Sequence, residues 1–70
     1  MEFKKGDVVE DAANPGIKFC VFIKYTPGGC LCINSRLEFI YAEEHTLSHL
    51  NRDLTFTENI VINEALRRLK

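Results

Sequence analysis

The chain has no tryptophan, only four glycines, two prolines and three cysteines in 70 residues, and neither sign of charge prevails. Nine basic residues stand against ten acidic ones, so the basic excess typical of proteins that bind a phosphate backbone is lacking. No apolar run approaches the roughly 20 residues that cross a bilayer. Residues 1–7 contain no apolar signal-peptide core. These features disfavour a membrane protein and predict a cytoplasmic chain with free thiols.

The length predicts one small domain spanning residues 1–70. A chain of this size buries only about 60% of the surface that it exposes when unfolded, so its core is small. Apolar residues make up 46% and charged residues 27%, which is typical of folded globular proteins rather than disordered ones. A cleft between a cofactor-binding part and a substrate-binding part does not fit in this length. We therefore predict no enzymatic activity and no cofactor.

Period-two alternation between polar turns is the main secondary-structure signal. It predicts strands over residues 8–9, 17–25, 30–34, 37–42 and 54–57, with 43–50 as a loop or one or two helical turns. In the longest strand, one face holds alternate apolar residues from Ile17 to Tyr25. The segments 14–16 and 26–29 are Pro-Gly turns, and Asn14-Pro15-Gly16 is expected to be of type II.

A helix is predicted over residues 58–70, with Thr57 as its N-cap. Four apolar residues recur there at helical spacing: Ile62, Ala65, Leu66 and Leu69. The second face of the long strand carries Cys20 and Phe22, and Ile40 is expected to join them. Two interpretations of this face stay open, since the helix can cover it or it can remain exposed for a partner.

The N-terminal segment carries a family resemblance. Phe3-Lys4-Lys5-Gly6-Asp7-Val8-Val9 resembles the opening Phe-Lys-x-Gly-Asp-x-Val of SH3-like barrels, and the polar loop 11–16 lies where their long first loop lies. The run 54–58 is similar to the end of small uncharacterised bacterial and phage proteins. The resemblance implies a five-stranded antiparallel barrel over 1–57, a C-terminal helix over 58–70, and a binding role.

A partial metal signature joins the cysteines to the histidines. Cys30-x-Cys32, twelve residues and His45-x₃-His49 approach a zinc-ligand spacing, and Cys20 offers a further thiol. One residue between the cysteines is fewer than usual, so the alternative is that the thiols are small buried hydrophobes and the histidines lie on the surface. A reactive thiol needs an electropositive, exposed site, and these lie in apolar strands. We predict no metal ligand and no catalytic residue, with a zinc-stabilised domain as an alternative.

Candidate binding residues come from aromatic and charged side chains at strand ends. Tyr25 and Tyr41 end two strands, with Lys24 and Arg36 as charged neighbours, and Phe22 marks the second apolar face. The alternative for both tyrosines is that they complete the core. These residues lead to the expectation of a non-catalytic protein- or peptide-binding module, working through an open strand edge or the Phe22 face.

Two further expectations concern partners. The chain is a candidate for self-association as a homo-oligomer. The alternative to a protein partner is nucleic acid, bound by Lys18, Lys24, Arg36 and the basic C-terminal residues Arg67, Arg68 and Lys70.

Overall fold

The computed structural model describes residues 2–69, which form an antiparallel sheet followed by one helix. The elements in chain order are β1 (Val8–Asp11), β2 (Cys20–Thr26), β3 (Gly29–Asn34), β4 (Phe39–Ala42), a 3₁₀ turn (Glu44–Thr46), β5 (Leu47–His49) and α1 (Phe56–Arg68). The strand order is β4-β3-β2-β1-β5, with every pair antiparallel. The predicted mainly-β fold with a C-terminal helix is confirmed. The sheet is not closed into a barrel, because β4 and β5 are edge strands.

Strand β2 contains one extra residue, Ile23, relative to its neighbour β3. Phe22 and Lys24, on either side of it, lie opposite consecutive residues of β3, so Ile23 is a bulge. A bulge bends a strand and reverses which face the following side chains occupy. Tyr25 therefore packs on the side of Phe22. The expected alternation from Ile17 through Tyr25 on one face is therefore wrong at Tyr25; it is also wrong at Ile17, which precedes β2 and packs with the Phe22 cluster.

Side chains are buried on both faces of the sheet. The Phe22 cluster lies on one face and consists of Phe3, Val9, Cys20, Phe22, Cys30, Cys32, Ala42 and Leu47. The helix cluster lies on the other and consists of Phe19, Val21, Ile33, Ile62 and Ala65. The Phe22 cluster takes members from both edge strands, so the sheet curls around it.

The helix packs on the face opposite to Phe22. Ile62 and Ala65 of α1 are buried against Phe19 and Val21, while Phe3 of the N-terminal segment contacts the Phe22 ring at 5.6 Å between centroids. Both interpretations of the Phe22 face are therefore wrong, because α1 does not cover it and Phe22 is only 1% exposed. The curled sheet and the N-terminal segment bury it instead.

The N-terminus of α1 is a capping box on Thr55. The Thr55 hydroxyl accepts from the Glu58 N–H, and the Glu58 carboxylate accepts from the Thr55 N–H at 2.9 Å. Two guanidinium nitrogens of Arg52 donate to the same carboxylate at 2.7 and 2.8 Å. The predicted N-cap at Thr57 is wrong, because Thr55 is the N-cap and has Glu58 three residues after it. The predicted strand over 54–57 is also wrong, because Phe56 and Thr57 belong to α1. The fifth strand is Leu47–His49.

Asn34 organises the turn that leads into β4. It is 4% exposed, and its side-chain oxygen accepts from the N–H groups of Arg36 and Glu38 at 2.9 and 3.0 Å. The Leu37 N–H donates to the Asn34 carbonyl, and Leu37 has a φ of 63°. This is a three-residue hairpin loop in which the last position is left-handed. The loop determines where β4 begins.

Glycine has a steric role in the β2–β3 turn. Gly28 has a φ of 92°, as the second central residue of a Pro-Gly type II turn requires. A Cβ at Gly29 would lie 2.7 Å from the Ala42 carbonyl oxygen, so β4 approaches β3 closely there. In the other turn, the Ile17 N–H donates to the Asn14 carbonyl, but Gly16 lacks a positive φ. The expected type II turn at 14–16 is wrong.

Among residues 2–69, α1 is the longest helix, and neither its length nor its hydropathy suffices to cross a bilayer.

Replacing Asn34 with alanine tests the loop. Asn34→Ala leaves the N–H groups of Arg36 and Glu38 without their acceptor, so we expect it to lower the free energy of unfolding by about 2 kcal/mol. Denaturant titration measures this. Ser35→Ala in the same loop is the control and should change stability by less than about 0.5 kcal/mol. Equal stabilities of the two variants would contradict the assigned role of Asn34.

Acid titration tests the capping box. The hydrogen bonds from Arg52, with that from the Thr55 N–H, lower the pKa of Glu58 to about 2 from its ordinary 4.5. Because the folded-state pKa is the lower one, this contribution to stability is complete above pH 4.5 and is lost as the pH falls towards 2. The thermal midpoint should therefore fall in that range, and less steeply in Glu58→Gln.

The control for this titration is Asp53→Asn. Within residues 2–69, the Asp53 carboxylate takes part in no ion pair and accepts no hydrogen bond from a side chain. The acid profile of this variant should follow that of the unaltered chain. If the acid profile of Glu58→Gln also matched that of the unaltered chain, the ionised Glu58 carboxylate would not contribute to stability as described.

Candidate functional site

Strand β4 is an edge of the sheet with two exposed aromatic side chains. Phe39 is 62% exposed and Tyr41 is 75% exposed, and both point to one face because side chains alternate along a strand. Ile40 and Ala42, the other two residues of the strand, pack with the Phe22 cluster. Natural edge strands are commonly protected by charge, proline or a bulge. Phe39–Ala42 has none of these, so it is a surface suited to pairing.

The outer backbone groups of β4 belong to the same two residues. The Asn34 N–H donates to the Glu38 carbonyl at 2.9 Å, which closes the β3–β4 hairpin. Hydrogen-bonded and non-hydrogen-bonded pairs alternate in an antiparallel ladder. Ile40 is therefore bonded to β3, as is Ala42, whereas Phe39 and Tyr41 direct their N–H and C=O groups away from the sheet. We call these outward groups, with the two aromatic side chains, the β4 edge.

An open groove adjoins the β4 edge on its aromatic face. Lys24, Leu31 and Tyr41 lie side by side on three neighbouring strands, since Leu31 is opposite both of the others. They line the groove together with the β2–β3 turn and Glu43. The groove offers apolar surface with a cation on one side and a carboxylate on the other.

The loop that follows β1 approaches β4 without pairing with it. An open cleft lies between Tyr41 and the end of β1 at Asp11 with the following loop residues Ala13 and Asn14. Within residues 2–69, no backbone hydrogen bond joins this loop to Phe39–Ala42. Within the described residues, the outward groups of β4 therefore make no backbone hydrogen bond to this loop, and those of Tyr41 border the cleft.

The opposite edge of the sheet is different in character. Strand β5 has three residues, of which Ser48 and His49 are exposed, and the Ser48 hydroxyl lies 3.5 Å from the Glu10 carboxylate. The His49 ring packs on Phe3 with 4.9 Å between centroids. A short polar edge offers little to a partner strand, so the two edges are not equivalent.

The structure brings two of the five predicted binding residues together. Lys24 and Tyr41 are exposed neighbours across Leu31. Arg36 is exposed in the β3–β4 loop, at the other end of the hairpin from that groove. Phe22 is in the core, where it cannot touch a partner.

Tyr25 attaches the N-terminal segment to the sheet. Its hydroxyl oxygen accepts from the N–H groups of Glu2 and Phe3, both at 3.0 Å. Its ring packs edge-on against Phe22, 4.9 Å away. Burial raises the pKa of the Tyr25 phenol, and the Glu44 carboxylate contributes in the same direction. These contacts give Tyr25 a structural role in closing the Phe22 cluster.

All three thiols are buried in the Phe22 cluster. Cys20, Cys30 and Cys32 are each 0% exposed and unpaired. Burial raises the pKa of Cys20 to about 11 and that of Cys32 to about 12, and it also raises the pKa of Cys30. A nucleophilic or metal-binding thiol must lose its proton. The thiols pack as small hydrophobes, and among residues 2–69 no group of three metal-ligating side chains is assembled.

The histidines lie apart from the thiols on the surface. His45 is in the 3₁₀ turn, 3.2 Å from the Glu43 carboxylate, and His49 is on β5. The expected surface location is confirmed, while the i, i+4 helical pairing is not formed. That the chain lacks enzymatic activity stays a prediction.

The basic residues proposed for nucleic acid do not form one surface within residues 2–69. Lys18 borders a groove with Glu10 and Asp11, and Arg36 lies on the β3–β4 loop. Arg67 and Arg68 both bind the Glu64 carboxylate, at 2.7 and 3.0 Å. Lys70 lies outside the described residues.

Sequence reasoning missed Phe39 as a surface residue. Its alternation with Ile40 was visible, but a period-two pattern does not show which face of an edge strand meets the core. Ile40 packs with the Phe22 cluster as expected. The missing signal was that α1 packs over Phe19, Val21 and Ile33 and leaves Phe39 uncovered on the face opposite to the Phe22 cluster.

No protein-family model, curated protein or solved structure matches the chain in comparisons with known proteins.

Thiol labelling tests the placement of the cysteines. We expect the native chain to react with a disulfide reagent at pH 8 at least about 100-fold more slowly than the chain unfolded in guanidinium, because burial and raised pKa values both suppress the thiolate. Absorbance of the released thiol follows the reaction. A thiol that reacts in the native state at the unfolded rate would contradict the described burial.

Proposed function

We propose that the chain is a non-catalytic protein- or peptide-binding module whose β4 edge accepts one extended segment of a polypeptide. The observation that carries the proposal is that Phe39 and Tyr41 combine outward backbone groups with exposed aromatic side chains. Main-chain hydrogen bonds give affinity in strand addition, and alternate side chains give selectivity. An extended segment bonded to both residues would place every second side chain over the aromatic face.

The groove beside the edge supports the same proposal. Leu31 and Tyr41 supply apolar contact, while Lys24 and Glu43 lie at its polar margins. A segment with alternating apolar residues fits this surface better than a uniformly charged polymer, because charged residues of both signs flank it. This favours a polypeptide over nucleic acid.

For the fold we propose an SH3-like small barrel that stays open between β4 and β5. The support is the pairing of the first strand with the last, together with a sheet that curls around the Phe22 cluster. This fold is consistent with the proposed binding role, because a barrel that stays open keeps the β4 edge unpaired.

Selection from a random-peptide library followed by affinity measurement tests the function. We expect selected peptides to lose affinity about tenfold or more with Tyr41→Pro, since this removes one outward N–H and one aromatic contact. The substitution spares the β3–β4 hydrogen bonds, because the Tyr41 N–H is not part of them. Tyr41→Lys, which keeps the N–H, should weaken binding as well and serves if the proline variant does not fold.

The matched control is Phe56→Lys on α1. Phe56 is 80% exposed, so this change also replaces an exposed aromatic ring with a cation, but on the helix. It should leave peptide affinity unchanged. Peptides that bind Tyr41→Pro as tightly as the unaltered chain would contradict the proposal. Retention of a single-stranded oligonucleotide at physiological salt, with no peptide selected, would favour nucleic acid instead.

A further inference from the structure

We infer that the segment that pairs with the β4 edge is β4 of a second copy of this chain, in an antiparallel, two-fold symmetric arrangement. The inference rests on the proposed strand-pairing role of the β4 edge and names its occupant. A continuous sheet of two copies would then form across the two edges.

The outward groups restrict the registers that two β4 strands can adopt. Phe39 and Tyr41 direct their N–H and C=O groups outward, so the hydrogen-bonded pairs between copies must include these residues. One register places Phe39 of each copy opposite Tyr41 of the other, with Ile40 on the two-fold axis. It makes two aromatic cross-strand pairs, which stabilise antiparallel sheets.

The neighbouring registers are less favourable. Pairing Tyr41 with its own symmetry mate places Phe39 opposite Glu43 of the other copy. Pairing Phe39 with its own mate leaves Tyr41 opposite Leu37. Of these three registers, only the one centred on Ile40 pairs every exposed ring, Phe39 and Tyr41 of each copy, with an aromatic ring of the other copy.

Charge complementarity supports the same register. In this register the β3–β4 loop of one copy, which carries Arg36, lies at the same end of the interface as the 3₁₀ turn of the other, which begins at Glu44. Both are exposed, and within residues 2–69 Arg36 forms no ion pair. Glu38 falls opposite Ala42, so no acidic residue faces another across the interface. Each end of the interface thus brings Arg36 of one copy to the same end as the acidic Glu43 and Glu44 of the other.

The size of the edge predicts a weak dimer. Strand β4 has four residues, and the exposed parts of two rings and their backbone bury on the order of 400 Å² per copy, about half that of a standard interface. We therefore expect a Kd on the order of 0.1 mM. Association should depend on concentration and on the residues at both ends of β4.

Analytical ultracentrifugation of the full chain measures the association. From about 10 µM to about 1 mM, the mass should rise from 8.0 kDa towards twice that value. Tyr41→Pro should remain at 8.0 kDa throughout, and Tyr41→Lys serves if the proline variant does not fold. Phe56→Lys, on the helix, should associate like the unaltered chain.

A charge-swap mixture tests the register itself. Arg36→Glu alone and Glu44→Arg alone each place like charges at both ends, so each should weaken association about tenfold. An equimolar mixture of these two variants restores opposite charges at both ends and should recover association. Circular dichroism of each variant verifies that it is folded.

Three outcomes would overturn the inference. They are a constant mass of 8.0 kDa, a dimer that Tyr41→Pro leaves intact, and a mixture of the two charge variants that associates no better than either alone. The chain could stay monomeric while the binding of selected peptides still requires Tyr41. In that case the inference of a second copy at the β4 edge is wrong, but the proposed peptide-binding function stands. If both association and peptide binding are lacking, the proposed function also fails.

Discussion

The bulge at Ile23 is the constraint on which the rest of the structure depends. It lets β2 bend while keeping pairs with β3 on both sides of the extra residue. The reversal that it causes places Tyr25 beside Phe22, where its hydroxyl binds the N–H groups of Glu2 and Phe3. Phe3 then closes one face of the sheet, which leaves α1 free to cover the other. A straight, regular β2 would direct Tyr25 towards the helix and leave Phe22 without this cover.

Burial on both faces explains how a chain of 70 residues forms a core and why little of it is available for chemistry. The three thiols and Phe22 are occupied in packing, and Tyr25 is occupied in attaching the N-terminal segment. The exposed apolar surface that remains on the sheet is concentrated at Phe39 and Tyr41 of β4. A curled sheet without closure leaves two edges, and only the β4 edge combines outward backbone groups with aromatic side chains. Its function is therefore expected at an edge rather than in a pocket.

Much of the fold could be predicted from residue patterns, because strand alternation and turn chemistry are local. The four strands from Val8 to Ala42 and the helix were found, although their ends shifted. The face of Tyr25 was not predictable, since a bulge depends on pairing between strands rather than on the alternation itself. The fifth strand at Leu47–His49 is three residues long and gains its stability from β1, so it left no clear pattern. For the site, Lys24 and Tyr41 were among the candidate binding residues and lie on either side of Leu31, whereas the exposure of Phe39 depends on where α1 packs.

Amide hydrogen exchange along β4 in dilute solution is the most direct test of an unpaired edge. The alternation of the β3–β4 ladder predicts slow exchange at Ile40 and Ala42, whose N–H groups bond to β3, and fast exchange at Phe39 and Tyr41, whose N–H groups face solvent. Nuclear magnetic resonance resolves the four amides individually. Slow exchange at all four in dilute solution would show that the β4 edge is already paired within the chain, and would contradict its role as a surface for another strand.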